Sequence, residues 1–298
     1  MEYITGGKAF RYVKNALNDS ADRDSYFDLA KRVFGLDFAP WYKSGYCGDN
    51  FIPYTLYDND IVAASVGIVT GKFRWRNSIK EYYQISTVMA NPKYRGMNLS
   101  RWLIESVLSE WKSKSDLIYL YANDSVVDFY QKFGFFKVQE YIYSLSVPKC
   151  AGKYRKLDIN DSGDRAIFIE KYQIYNNPFS ALAIEDNLSN IMFHCITFLY
   201  DNIYYVEDFD AVVIAECENN VVFCYDIYVG ADCRMSDIIG VLADKDNVSV
   251  TFGFSPNTSD DFLCAKSKGQ NTTVFALSGM DDSIFLDYKI TFPYLSRA

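Results

Sequence analysis

The sequence predicts a mixed α/β fold (α+β in its segregation of elements), with a mostly antiparallel central sheet flanked by helices, built as two such lobes in tandem. Three observations predict it. Apolar runs rich in β-branched and aromatic residues meet at Asn- and Asp-rich turns, the pattern of hairpins. One-sided helical stripes fall between those runs. The order of elements in the first half is echoed in the second. At 298 residues the chain is long enough for two ordinary domains or one large one.

In the first half, SADRDSYFDLAKRVFG (residues 20–35) reads as a helix with a Ser or Asp cap. Its stripe is Tyr26, Phe27, Leu29, Ala30, Val33 and Phe34, and Gly35 is its stop. FIPYTLYDNDIVAASVGIVTGKF is two strands around Asp58-Asn59-Asp60, and EYYQISTVMA is a third. Residues 100–112 carry Trp102, Leu103, Ile104, Val107, Leu108 and Trp111 at helical spacing. DLIYLYAN is a strand, SVVDFYQKFG a short helix ended by Gly134, and FFKVQEYIYSLSV a closing strand pattern. The expected order is α–β–β–β–α–β–α–β.

A break at VPKCAGK (147–153), with Pro148 and Gly152, divides the chain into residues 1–147 and 153–298. Beyond it, YRKLDINDSGDRAIFIEKY gives a strand and a helix, and DAVVIAECENNVVFCYDIYV a hairpin turning at Glu218-Asn219-Asn220. GADCRMSDIIGVLADKD supplies a loop and helix, and NVSVTFGFSP a following strand.

Charge is unequal between the halves. Residues 1–150 hold 19 Lys and Arg against 16 Asp and Glu, a net of +3; residues 151–298 hold 11 against 22, a net of −11. The acidic half is a poor nucleic-acid surface. It either attracts a cationic amine or keeps the protein dissolved. Positive charge in the first half gathers at Lys72, Arg74, Arg76, Lys80, Lys93, Arg95 and Arg101, as a solvated surface or beside a phosphate-rich ligand.

The seven cysteines are odd in number and form no Cys-x-x-Cys pair, which argues against a disulfide framework or zinc site. With no export signal at the N-terminus and no apolar run of membrane-spanning length, a cytoplasmic protein without a metal is expected. The single histidine, His194, lies in the apolar run IMFHCITF as a core or strand residue, and Cys195 beside it points elsewhere. Ser-His or Cys-His nucleophilic catalysis is therefore disfavoured. The 25 tyrosines and 22 phenylalanines are expected mainly to fill cores.

NPKYRGMNLSRWLIE (91–105) is a short basic loop between a strand and a helix. Such a loop presents free N–H groups and the positive end of a helix dipole to an anion. Gly96 permits close backbone approach or positive φ. The same stretch also reads as an ordinary helix start with solvated lysines.

The surrounding order resembles the GNAT acyl-CoA N-acyltransferase family over residues 1–147. The family's phosphate motif, roughly Q/R-x-x-G-x-G/A after a strand, stands here as Lys93-Tyr94-Arg95-Gly96-Met97-Asn98, then Leu99-Ser100. Its next motif stands as Asn123, Phe129-Tyr130 and Gly134-Phe135. The resemblance implies the acyl-CoA N-acyltransferase fold with acetyl-CoA as co-substrate and no metal. It implies that Val88, Met89 and Ala90 pair their backbone with the pantetheine arm. Arg95 through Ser100 would wrap the pyrophosphate, and Asn123 would hydrogen-bond the pantetheine. Tyr130 would protonate the leaving thiolate, against the competing role of core packing beside Phe129 and Phe133.

Two positions depart from the motif. Lys93 keeps a donor where Gln or Arg is usual. Asn98 replaces a small residue but tolerates left-handed backbone, so weakened rather than abolished binding is expected. Glu81 is the best-placed candidate base if it faces the cleft, and otherwise a surface partner of Lys80 or Arg76. Asp124 is expected to cap the following helix. In the second half the corresponding loop reads Gly230-Ala231-Asp232-Cys233-Arg234-Met235, where an aspartate would repel pyrophosphate.

The expected function is acetyl-CoA-dependent N-acetylation of a small or peptide-borne amine, a cationic one if the acidic half faces the acceptor, without nucleic-acid or membrane partners. A non-catalytic acyl-CoA sensor is the alternative. Aminoacyl transfer from tRNA is disfavoured by the acidic second half and the lack of a basic helical arm.

Overall fold

A computed structural model of the chain describes residues 1–298 other than 76–77, 124–125, 231, 258–261, 270–271 and 282. Arg76 and Asp124, and the Ala231 of the second loop, lie outside the described residues.

The chain opens with a hairpin that the expected order lacks, β1 (Glu2–Thr5) and β2 (Lys8–Lys14). Its turn is Gly6-Gly7, with φ of 56° and 73°, the double positive φ that a tight hairpin requires. The helix α1 (Ser20–Phe34) follows; Asp19 caps it by accepting from the N–H groups of Ala21 and Asp22, and Gly35 ends it at φ 73°. After α2 (Ala39–Lys43) come β3 (Phe51–Asp58), β4 (Ile61–Trp75) and β5 (Ser78–Ala90). Then follow α3 (Leu99–Trp111), β6 (Leu117–Asn123), α4 (Val127–Gln131), β7 (Phe135–Val138) and β8 (Tyr141–Pro148).

The second half supplies β9 (Tyr154–Lys156), α5 (Ser162–Tyr175), β10 (Leu182–Glu185), α6 (Leu188–Thr197) and β11 (Ile203–Val206). It continues with β12 (Ala211–Glu218), β13 (Val221–Tyr228), α7 (Met235–Val241), β14 (Asn247–Phe252), β15 (Leu263–Lys266), β16 (Thr272–Leu277) and α8 (Ser283–Leu286). His194 therefore sits on a helix, α6, and not on a strand; it is buried there, 8% exposed.

Two mostly antiparallel sheets result. The first runs β1-β2-β3-β4-β5-β6-β16-β7, with β10 paired to the far end of β4; the second runs β15-β8-β14-β13-β12-β11-β9. Each sheet holds one parallel pair among the described residues, β5 with β6 and β13 with β14. The division at 147–153 is crossed in both directions. β8 leaves the first half to lie between β14 and β15, while β16 returns to lie between β6 and β7. The pattern FFKVQEYIYSLSV, read as closing the first half, is thus two strands in different sheets.

Alternating side chains continue through the crossing, so periodicity carries no mark of it. What fixes the crossing is Glu140. Its carboxylate accepts from the Tyr121 hydroxyl (3.1 Å), the Phe292 N–H (3.2 Å) and the Arg297 guanidinium (3.1 Å).

Helix α3 lays Leu99, Leu103, Ile104 and Val107 on one face of the first sheet, against Ile85, Ile118 and Leu120. The other face is covered by α1, whose Tyr26, Leu29 and Ala30 meet Phe51 and Met89. Phe193 of α6 joins that cluster, and the Trp41 indole donates to the Ser189 carbonyl at 2.9 Å, tying the lobes together. Burying a side chain of this size contributes about 1.5–3 kcal/mol. All seven cysteines are unpaired, and among the described residues no three His, Cys, Asp or Glu side chains form a metal-binding group. Among those residues no helix is long and apolar enough to cross a membrane.

Candidate active site

The site begins where the parallel pair ends. β5 and β6 are in register only from Tyr82/Leu117 to Ile85/Leu120; beyond that, β5 follows β4 alone and an opening separates it from β6. At the same point β5 bulges. The register with β4 slips between Ser65 and Gly67, and Thr87 takes φ 41°, an unusual conformation for a β-branched residue. Two partners hold it. The Tyr26 hydroxyl donates to Thr87 Oγ1 at 3.0 Å, and Gly67 leaves room, since a Cβ there would lie 2.3 Å from that oxygen. A glycine inside the strand run ASVGIV is the one sequence signal that pointed to this close approach.

After Ala90 the chain turns through the basic loop. Asn91 anchors it, accepting from the Lys93 N–H (3.2 Å) and donating to the Val62 carbonyl (3.1 Å). Gly96 (φ 83°) and Asn98 (φ 58°) both adopt left-handed backbone, so Asn98 does what the missing glycine would do. Its side chain does not cap α3, which leaves the first N–H groups of the helix directed outward without a side-chain acceptor. Nothing lies within 4 Å of the place a Cβ of Gly96 would occupy. The geometry fits an anion such as pyrophosphate.

A cavity of about 450 Å³ lies over this loop, lined by Val88, Ala90, Arg95, Gly96, Asn98, Leu99, Ser100 and Tyr130 among others. Those expected residues come together. Met89 points the other way, 1% exposed in the core under α1, which leaves only its backbone to face the opening. Lys93, Met97 and Asn123 do not line the cavity; Asn123 is exposed at the end of β6, opposite Thr272 of β16. Val33, Tyr94, Arg101, Val126 and Phe129 line it too, though the resemblance gave none of them a binding role. Tyr94 is fixed there by donating to Asp58 at 2.6 Å, and Arg101 is paired with Glu105 at 2.9 Å.

Tyr130 is 6% exposed, its ring set edge-on to Phe129 and Phe135. Burial pushes its phenol up to about 12, so the hydroxyl stays protonated at neutral pH. Packing and an acid role are compatible here, since the ring is in the core and the residue reaches the cavity.

Glu81, the expected base, stands away from the cleft. It lies nine residues before Ala90 on β5, roughly 30 Å away at about 3.3 Å per residue. It pairs with Lys72 across the hairpin at 3.3 Å and lines no part of the cavity. The basic cluster before the loop is likewise neutralised: Arg74 meets Glu185 at 2.6 Å and Lys80 meets Asp281 at 3.1 Å. Those charges serve the hairpin and its neighbours, not a phosphate.

On the opposite face of the first sheet a second cavity, about 410 Å³, lies between the lobes. One wall is Tyr121, the residue after the last parallel partner Leu120; the other includes Glu216, Phe223 and Tyr225 of the second sheet. His194 borders it as a neutral imidazole, its pKa lowered by burial to about 4 and its Nε2 2.8 Å from the Arg297 carbonyl.

Residues 17–138 match the family model described as an acetyltransferase (GNAT) domain. No curated protein matches the chain. Among solved structures, Eis1 from Mycobacterium abscessus superposes with a TM-score of 0.56 at 14% identity, covering 89% of this chain and 73% of its own. A conserved protein from Enterococcus faecalis, described as a probable N-acyltransferase, gives 0.55 at 13%, covering 90% and 72%. A GCN5-related N-acetyltransferase from Kribbella flavida gives 0.51 at 13%, covering 90% and 71%. At such identities the likeness establishes the fold. Together with the loop, the opened strand pair and the family match, it makes this chain an acyltransferase-fold protein whose residues 17–138 match the GNAT acetyltransferase domain.

Proposed function

We propose that the protein transfers an acetyl group from acetyl-CoA to a primary amine by direct attack on the thioester. The observation that carries this reading is the junction of three features at one place: the opening between β5 and β6, the uncapped start of α3, and Tyr130. Acetyl-CoA supplies the activated acyl carbon. The N–H groups at the start of α3, with Arg95 and Ser100, hold its pyrophosphate, as a helix N-terminus suits. Lys93 and Met97 flank that seat from outside the cavity. The free edge of β5 at Val88–Ala90 takes the pantetheine arm as an added strand, and Asn123 meets the arm from the β6 side. The same β5 amides donate to the oxyanion of the tetrahedral intermediate, and holding both reactants at the opening supplies the orientation. Tyr130 gives its proton to the leaving thiolate. Glu81, bound to Lys72, takes no part.

On this reading the protein works in the cytoplasm, where acetyl-CoA is made, and the acidic second half favours a cationic acceptor. The test is to mix the protein with acetyl-CoA and a panel of amines and to follow free thiol. Thiol release that depends on the amine is expected. Tight acetyl-CoA binding with no release on any amine would favour a non-catalytic acyl-CoA-binding protein.

A further inference from the structure

The cavity between the lobes has a chemistry of its own. It borders the opening through Tyr121, on the sheet face opposite the one that α3 and α4 cover. Its far wall is built by the acidic second half, with Phe223 and Tyr225 as ring surfaces and Glu216 as a carboxylate.

The charges in this cavity can be assigned. The Arg297 guanidinium is already caged, 4.6 Å from the Tyr121 ring centroid, 4.8 Å from that of Tyr294, and bonded to Glu140 at 3.1 Å. Glu140 and Arg297 therefore neutralise each other, and His194 is neutral. Glu216 is left as an exposed carboxylate with no ion pair among the described residues. It is the direct cross-strand neighbour of Phe223 and close enough to Tyr225 to help keep that phenol protonated, after the larger effect of burial. A carboxylate beside two aromatic faces attracts an organic ammonium by charge and by cation–π contact.

That carboxylate is on the second lobe, whereas the reacting nitrogen must sit by the first lobe's opening. The two places are on different walls of the cavity, Tyr121 on the first sheet and Glu216 on the second. We propose that the cavity is the acceptor site for a molecule with two nitrogen centres, an α,ω-diamine, a polyamine or a basic side chain bearing a second cation. Glu216 holds the distal ammonium and Tyr121 borders the nitrogen that is acylated. This inference rests on the acyl-transfer reading. In the reaction the unprotonated nitrogen forms the C–N bond, the C–S bond breaks, the nitrogen loses one proton and the thiolate gains one. A cavity of about 410 Å³ accepts a small molecule or a single side chain.

The experiment uses the full-length protein and a matched pair, cadaverine and n-pentylamine, which share a body and differ in the second charge. With acetyl-CoA saturating, cadaverine is expected to show a KM at least tenfold below that of n-pentylamine. In Glu216→Gln the two KM values should converge, with acetyl-CoA affinity unchanged. Glu216 is exposed and on a strand rim, so the substitution is not expected to disturb folding. Equal KM values for the pair in the unaltered protein, or a preference that survives in Glu216→Gln, overturns the proposal. Calorimetric titration of cadaverine separates the two readings. Binding that weakens tenfold in Glu216→Gln without any turnover keeps the diamine site and removes the acyl-transfer reading. Absence of cadaverine binding together with absence of turnover removes both.

Discussion

The two lobes carry the same device in opposite states. In each, a parallel strand pair separates and a bulge follows at once. The pair ends at Ile85/Leu120 with the slip against β4 in the first lobe, and at Cys224/Phe252 with a slip between Ile214 and Ala215 in the second. In the first lobe the opening leads to a cavity of about 450 Å³. In the second it is filled by the chain itself. The Tyr294 N–H donates to the Gly253 carbonyl at 2.7 Å, Asn177 donates to Asp226, and only about 20 Å³ remains. The helix starts differ too: Gly96 and Asn98 precede α3, whereas the hollow at the start of α7 is lined by Asp208, Asp210 and Asp232. One lobe leaves a cavity beside its opening and its helix start, whereas the other fills its opening with its own residues and sets aspartates beside its helix start.

Separating the lobes has the largest expected effect. Their sheets exchange β8 and β16, so a fragment of residues 1–147 lacks the strand between β6 and β7. Losing two ladders and the packing of Phe275 is comparable to the roughly 5–15 kcal/mol by which a domain is stable. The fragment is expected to be insoluble or non-cooperative in urea, and coexpression with residues 148–298 to restore a soluble complex. A cooperative transition for the fragment alone would show that the exchange is dispensable.

The next largest effect concerns the open lobe. Tyr130→Phe keeps the ring packed against Phe129 and Phe135 and removes only the hydroxyl. An acid role predicts a fall in kcat of about 100-fold or more, with acetyl-CoA affinity within about twofold. Unchanged turnover would leave Tyr130 as a packing residue.

Much of this contrast was legible in the residues. The hairpin at Asn59, the strand before Asn91, the helix after Asn98 and the aspartate at 232 follow from local chemistry: turn propensity, helical spacing, the left-handed tolerance of Asn, and charge. The Gly6-Gly7 turn is an equally local hairpin signal, lying outside the expected order of elements. Glu81 failed for a different reason. A position on a strand does not say how far along it the site lies, and a cross-strand lysine had a stronger hold on it. The exchange of β8 and β16 left no local mark, because both strands alternate as they would in either sheet. What decides it, Glu140 bridging Tyr121, Phe292 and Arg297, is a contact between segments some 150 residues apart. The Thr87 bulge is likewise a tertiary matter, held by Tyr26 and Gly67.

In the closed lobe the filling has a pH signature. Asp226 is half-buried by surface exposure, and its desolvation raises the pKa from 3.8 to about 6 despite hydrogen bonds from Tyr228, Asn177 and the Ile227 N–H. The folded state thus binds this proton more tightly than the unfolded state. The contribution is complete below the unfolded pKa and is lost as pH rises through about 6. The whole change corresponds to about 3 kcal/mol. Asp226→Asn should remove it. Between pH 4 and pH 7.5, urea unfolding of the unaltered protein is expected to lose about 2–3 kcal/mol relative to the variant. Parallel pH profiles would mean that water reaches the second opening.

The smallest expected effect is the sharpest test of the open one. Asn98 holds φ 58° at the start of α3 without capping it, so its side chain contributes little to the helix and stands at the rim of the anion seat. Glycine adopts the same backbone at no steric cost. Asn98→Gly should therefore leave stability within about 1 kcal/mol and tighten acetyl-CoA by roughly two- to fivefold, with the gain appearing in affinity and not in kcat. The corresponding change in the second lobe, Asp232→Gly, removes one carboxylate from a hollow that still contains Asp208 and Asp210 and whose opening is filled. It should create no acetyl-CoA site. If Asn98→Gly weakens binding instead, the Asn98 amide is itself a ligand of the pyrophosphate. The lone glycine of the loop would then be sufficient because asparagine replaces its neighbour in function as well as in shape.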